Sequence, residues 1–143
     1  MKKMTMFTPE KLVERIKQHE GCILHPYHDT LGNLTIGYGH NLTSKPITLR
    51  AAQVILEDDI NDAIKDLKQL PSESYIHLDE ARKSVLVEMI FNMGVEKVKK
   101  FKKMLYALSI SNYERAAEEM LNSEWAVQVK NRAKRLAKIM REG

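Results

Sequence analysis

The chain has one cysteine, Cys22, and therefore no internal disulfide, which fits a reducing compartment. Cys22 reads as core packing rather than as a redox switch. No run approaches the roughly 18 apolar residues of a membrane span. After Met1-Lys2-Lys3, the positions Thr5, Thr8, Pro9 and Glu10 interrupt any apolar core, so no signal peptide is expected. Glycine and proline, six and four in number, form no low-complexity tract, and there is no internal repeat. Aromatic residues are scarce, and Phe91, Phe101 and Trp125 read as core rather than as an exposed binding platform. A glycine-rich phosphate loop, Cys/His zinc spacing and a supported Ser-His-Asp arrangement are all missing. Nucleotide-driven, zinc-dependent and serine-hydrolase chemistry therefore have no foothold.

What is present fits one folding unit of one or two lobes with one ordinary core. The 143 residues are 43% hydrophobic and 29% charged. Charge is uneven: net +2 over residues 1–48, −4 over 49–94 and +6 over 95–143. A basic C-terminal portion suits an anionic polymer such as cell wall, nucleic acid or a membrane surface. A merely solvated helical face accounts for it equally well.

Thr8 before Pro9 predicts an N-cap with proline at the first helical position. Leu12, Val13 and Ile16 extend an apolar stripe, so a helix is expected over 9–20, stopped by Gly21. Residues 22–42 lose helical periodicity. Tyr27, Leu34, Thr35, Ile36 and Tyr38 favour strands, giving an antiparallel hairpin turning near Leu31-Gly32-Asn33 and a further turn near Gly39. Thr48 caps a helix over 49–69, which Pro71-Ser72-Glu73-Ser74 ends. Helices follow from Asp79 to Gly94, around 97–108, after a capping box at Ser111-Asn112-Tyr113-Glu114, and around Ala133–Met140. The eight methionines read as filler of helical cores. The class is α+β with helices dominant.

Glu20, Asp29 and Thr35 form the chemical constellation. Two carboxylates in different surroundings can divide acid and base roles, and a hydroxyl can hold a water against the second. Hairpin pairing would bring Asp29 and Thr35 together across the ribbon. Singly, each has a plain structural role: a solvated helix end, a turn residue and sheet packing.

Glu20-Gly21, Tyr27, Asp29-Thr30, Gly32 and Leu34-Thr35-Ile36-Gly37-Tyr38-Gly39-His40 resemble the active-site region of the small phage lysozymes (endolysins) of glycoside hydrolase family 24. The resemblance continues in Phe91-Asn92-Met93-Gly94, Phe101, Ala116-Ala117, Trp125 and Asn131-Arg132-Ala133-Lys134-Arg135. It implies one lysozyme-like domain over 1–143. A β-containing lobe (21–48), a connecting helix (49–69) and a helical lobe (70–143) are expected, with helix 9–20 packing on the last. It implies hydrolysis of the β-1,4 bond between N-acetylmuramic acid and N-acetylglucosamine in peptidoglycan. Glu20 would be the general acid, Asp29 and Thr35 would position the water, and inversion is expected. Gly39, Phe91, Asn92 and Arg132 match substrate-binding positions, with Arg132 expected to pair with Glu20. His40 matches a histidine paired with an aspartate, here Asp59. No metal or other cofactor is implied. The resemblance implies the peptidoglycan glycan strand as partner, and a monomer expected to stay in the host cytoplasm until a holin-type membrane hole releases it to the wall. Membrane insertion and nucleic-acid binding are not expected. Competing readings are a lysozyme-fold binding module without catalysis, a transglycosylase using the same acid, and a basic nucleic-acid binder resting on residues 95–143 alone.

Overall fold

The computed structural model describes residues 9–143. Among these, one three-stranded antiparallel sheet accompanies a largely helical chain, which is α+β. The contacts divide into two compact units, the first ending at Ala52 and the second covering Gln53–Gly143.

The first unit opens with α1 (Pro9–Glu20). Its end is set by Gly21, which takes φ +66 and donates its N–H to Lys17 O at 2.9 Å. A residue with a Cβ resists that left-handed conformation, so the stop is a glycine. The expected Thr8 cap lies outside the described residues. The sheet follows in the order β1 (Ile23–His28), β2 (Leu34–Gly37) and β3 (His40–Asn41). Tyr27 faces Thr35 and His28 faces Leu34, while pairing is irregular between Ile23 and Tyr27. Pro26 lies in that irregular stretch and has no N–H to give to a ladder. The two-residue β3, pairing Ile36 with His40 and Thr35 with Asn41, is too short to leave a pattern in the sequence. The expected turn near Gly39 is the β2–β3 turn. Cys22 corrects an expectation: it is exposed, standing between the helix stop and the first strand instead of on a packed face.

α2 (Leu49–Asp66) starts at Thr48, whose Oγ1 accepts the Ala51 N–H at 3.1 Å. It tightens into a 3-10 turn over Leu67–Gln69. In the second unit, Pro71 leads into a one-turn helix instead of a loop, α3 (Ser72–Tyr75). The buried Ser74 there donates to Leu105 O at 2.8 Å, which satisfies a hydroxyl that would otherwise be costly to bury. α4 (Glu80–Met93) is capped by Asp79 and stopped by Gly94, as expected. The lysine-rich stretch is two helices, α5 (Val95–Lys99) and α6 (Lys102–Ser109), not one. The chain breaks at Lys100-Phe101, and the Phe101 ring meets Trp125 edge-on, centroids 6.2 Å apart. α7 (Tyr113–Leu121) is capped by Asn112, not Ser111. Ser111 instead ends α6 in a left-handed conformation, φ 57. α8 (Glu124–Val129) and α9 (Asn131–Glu142) complete the chain.

The core of this unit is a methionine-leucine-alanine mixture. Met89, Met104, Met120 and Met140 are fully buried, as are Leu86 and Leu108. Ala116 and Ala117 of α7 and Ala133 and Ala137 of α9 are also buried, and the two helices pack together. Small side chains let helix backbones approach, while each buried leucine or methionine contributes about 1.5–3 kcal/mol.

Candidate active site

α1 delivers Glu20 to the edge of the β2–β3 turn. The side chain is exposed, and its carboxylate lies over Gly39. A Cβ at Gly39 would sit 2.8 Å from Glu20 Oε2 and 3.1 Å from its Cδ, so only glycine leaves room for the carboxylate as placed. Gly39 also has φ +74, which favours glycine on backbone grounds alone. Lys17, one turn earlier, stands 5.7 Å above the Tyr38 ring and ties the same helix to the same turn.

Asp29 and Thr35 are joined through Asn33, which the sequence marks only as a turn residue. Asp29 Oδ1 accepts N–H groups from Leu31 (2.9 Å) and Asn33 (2.8 Å), and Oδ2 accepts the Asn33 side-chain amide at 3.2 Å. Thr35 Oγ1 donates to Asn33 O at 2.9 Å. Asp29 and Thr35 are thus diagonal on the ribbon rather than opposite. Tyr27 is the partner of Thr35, and the Asp29 N–H reaches Asn33 O. The available signal was the Asp29-to-Asn33 spacing, since aspartate side chains commonly bond the backbone of the turn that follows them.

The electrostatics follow from these bonds. The Asn33 backbone N–H is the largest influence on Asp29 and holds its carboxyl below the ordinary carboxylate range. Partial desolvation opposes it, and the Asn33 amide, the Leu31 N–H and nearby His28 assist. Asp29 is therefore a carboxylate at neutral pH. A carboxylate offers about four lone-pair directions, and three are taken, which leaves one on Oδ2. Thr35 is 3% exposed and its proton is committed to Asn33, so the hydroxyl can only accept from a further partner.

The other residues singled out from the sequence are placed as follows. His40 donates through Nε2 to Lys45 O at 3.0 Å, so a carboxylate at Nδ1 would require the doubly protonated ring. Asp59 is exposed on α2. Arg132 donates through Nε to Glu88 Oε2 at 2.9 Å, a partner 44 positions away that no periodicity reveals. Arg132, Glu88 and Phe91 border one cavity of about 580 Å³ in the second unit. Asn92 accepts the Trp125 indole N–H at 2.7 Å.

The family model described as phage lysozyme matches residues 17–141, a stretch that contains Glu20, Asp29, Thr35 and Arg132. The chain is 31% identical to a protein named probable T4-type lysozyme 1 from Dictyostelium discoideum, over 91% of this chain and 93% of the relative. It is 29% identical to the endolysin of Salmonella phage P22, over 76% and 77%. It is likewise 29% identical to the pre-baseplate central spike protein Gp5 of Enterobacteria phage T4, over 92% of this chain and 28% of that longer protein.

Proposed function

Because this chain belongs to the phage lysozyme family and is a glycoside hydrolase with a lysozyme-like α+β fold, we propose that it hydrolyses peptidoglycan at the β-1,4 bond between N-acetylmuramic acid and N-acetylglucosamine. Glu20 gives its proton to the glycosidic oxygen as the bond to the anomeric carbon breaks. A water attacks that carbon from the opposite face and passes a proton to Asp29. Solvent exchange then reprotonates Glu20 and deprotonates Asp29. The observation that supports this division is the bonding around Asn33. Thr35 and Asp29 each have only acceptor capacity left, so a water between them donates both protons and keeps a lone pair for attack. Gly39, Phe91, Asn92 and Arg132 bind the glycan in this reading. The role is lysis of the host cell from within, reached through a holin-type hole.

Displacement by water inverts the anomeric centre, whereas a covalent intermediate retains it. Proton NMR of a fresh digest of purified sacculi is expected to show new reducing ends with the inverted α configuration. Retained β anomers would remove the water-displacement mechanism. A 1,6-anhydro product, visible by mass spectrometry, would make the enzyme a transglycosylase.

Gly39→Ala tests the placement of the acid. The added Cβ strains the backbone by about 1–2 kcal/mol and displaces the Glu20 carboxylate. A misplacement of about 1 Å can cost on the order of 10²-fold in rate. The variant is expected to melt a few degrees lower and to lose at least about tenfold in kcat. Unchanged kcat would show that the Glu20–Gly39 contact does not set the acid's position.

A further inference from the structure

We propose that the lysine-rimmed cavity bounded by α5, α6, α7 and α8 binds a phosphodiester-linked anionic polymer of the poly(glycerol phosphate) kind. The choice of a wall polymer as occupant rests on the wall-hydrolase reading above. The cavity itself does not. Five lysines fall within seven positions, Lys97, Lys99, Lys100, Lys102 and Lys103. Like charges so close repel one another, and a run of this kind is commonly relieved by carboxylate partners. Among the described residues only Lys99 has one, Glu96 at 2.8 Å. The other four are exposed and in no ion pair among the described residues. All four line a single cavity of about 640 Å³. The break at Lys100-Phe101 is what gathers them. One continuous helix would spread these side chains around its circumference, whereas two short helices bring them to one rim.

The facing wall does not cancel this charge. It carries Glu119 and Glu124, but Glu119 is held by Arg115 at 2.9 Å. Four lysines against one carboxylate that has no ion pair among the described residues leave the hollow about three charges positive. Ammonium groups are compact point charges with three donors each and suit phosphate oxygens presented in series. The floor argues against nucleic acid. Trp125 is only 6% exposed, meets Phe101 edge-on and has its N–H committed to Asn92. The Trp125 ring is therefore not open for base stacking, which supplies much of single-strand binding.

The chain's single tryptophan lines the cavity, so its emission reports occupancy directly. Titration of the full chain with poly(glycerol phosphate) is expected to give a saturable change. Affinity should fall roughly 10–20-fold between about 50 and 200 mM salt, as for release of about three counterions. The double variant Lys100→Glu/Lys103→Glu should bind at least tenfold more weakly, and the milder Lys97→Gln/Lys102→Gln should weaken binding in the same direction. Lys134→Glu/Lys138→Glu changes net charge equally on exposed positions of α9, outside the cavity, and should leave binding within about threefold. Three results would each overturn the site: no saturable change, an equal loss in the α9 pair, or tighter binding of oligo(dT) or poly-L-glutamate. Glu20→Gln should titrate like the natural chain, so the cavity and the catalytic reading can fail independently.

Discussion

Glu20→Gln lowers the rate of wall clearing by about 10²–10⁴-fold, the usual worth of a positioned general acid. The substitution keeps the shape and removes the proton. Glu20 is exposed at the end of α1, so an amide there buries no new polar group and the fold should survive. Turbidity of chloroform-permeabilised Gram-negative cells gives the readout, with circular dichroism as the check on folding. A lysozyme-fold binding module without catalysis would show no clearing by the natural chain. Clearance by the glutamine variant at the natural rate would strip Glu20 of its role. Asp29→Asn is a less selective probe. Asp29 accepts three hydrogen bonds that hold its turn, and an amide facing the Asn33 amide sets donor against donor. Its loss of rate would mix chemistry with local structure.

The Asp29 case shows which parts of the site the sequence discloses. Residue types and spacing gave the carboxylates and the hydroxyl, and the family resemblance gave them roles. The hydrogen-bond economy was hidden because it runs through Asn33, whose side chain and both backbone groups act at once. The fold divides in a similar way. α1, α2 and α4 were legible because each carries a periodic apolar stripe between local stop signals: Pro9 and Gly21, Thr48 and the Pro71 stretch, Asp79 and Gly94. α3, α8 and β3 are too short for a period to develop. The lysine-rich stretch looked continuous because lysine is a good helix former and nothing local marks the break. The break follows from Phe101 packing on Trp125, a contact across 24 positions. Ser111 and Asn112 are both good caps, and only the ending of α6 decides between them.

Arg82→Met destabilises the protein by about 3–5 kcal/mol, the largest loss expected of any single polar side chain here. The guanidinium joins three helices. Its Nε and Nη2 donate to Met140 O at 2.7 Å and Arg141 O at 2.9 Å, capping two carbonyls in the last turn of α9. Nη1 donates to Asp79 Oδ1 at 2.9 Å, at the start of α4, and the plane stacks 3.6 Å from the Tyr113 ring at the start of α7. Hydrogen bonds to charged donors are worth about 1.5–3 kcal/mol each, and a partly desolvated cation on an aromatic ring about 0.5–2 kcal/mol. The side chain is 14% exposed, so water replaces little of this on truncation. A melting temperature lower by about 10 °C or more follows for a chain of this size. Arg82→Lys keeps the charge and loses the fork, so it should fall between the two. The pH dependence separates this mechanism from lost packing. Partial burial pushes the Asp79 carboxyl up, but the Arg82 hydrogen bond and charge and the Arg82 backbone N–H outweigh it and hold the group below the ordinary carboxylate range. A depressed carboxyl stabilises the fold above its unfolded value, and the contribution disappears as pH falls through the folded one. Arg82→Met removes the main depressing group. Its melting temperature should therefore decline less steeply below the ordinary carboxylate range than that of the natural chain. Parallel acid limbs, or a loss under about 1 kcal/mol at neutral pH, would show that the clamp on α9 does not hold these helix ends together.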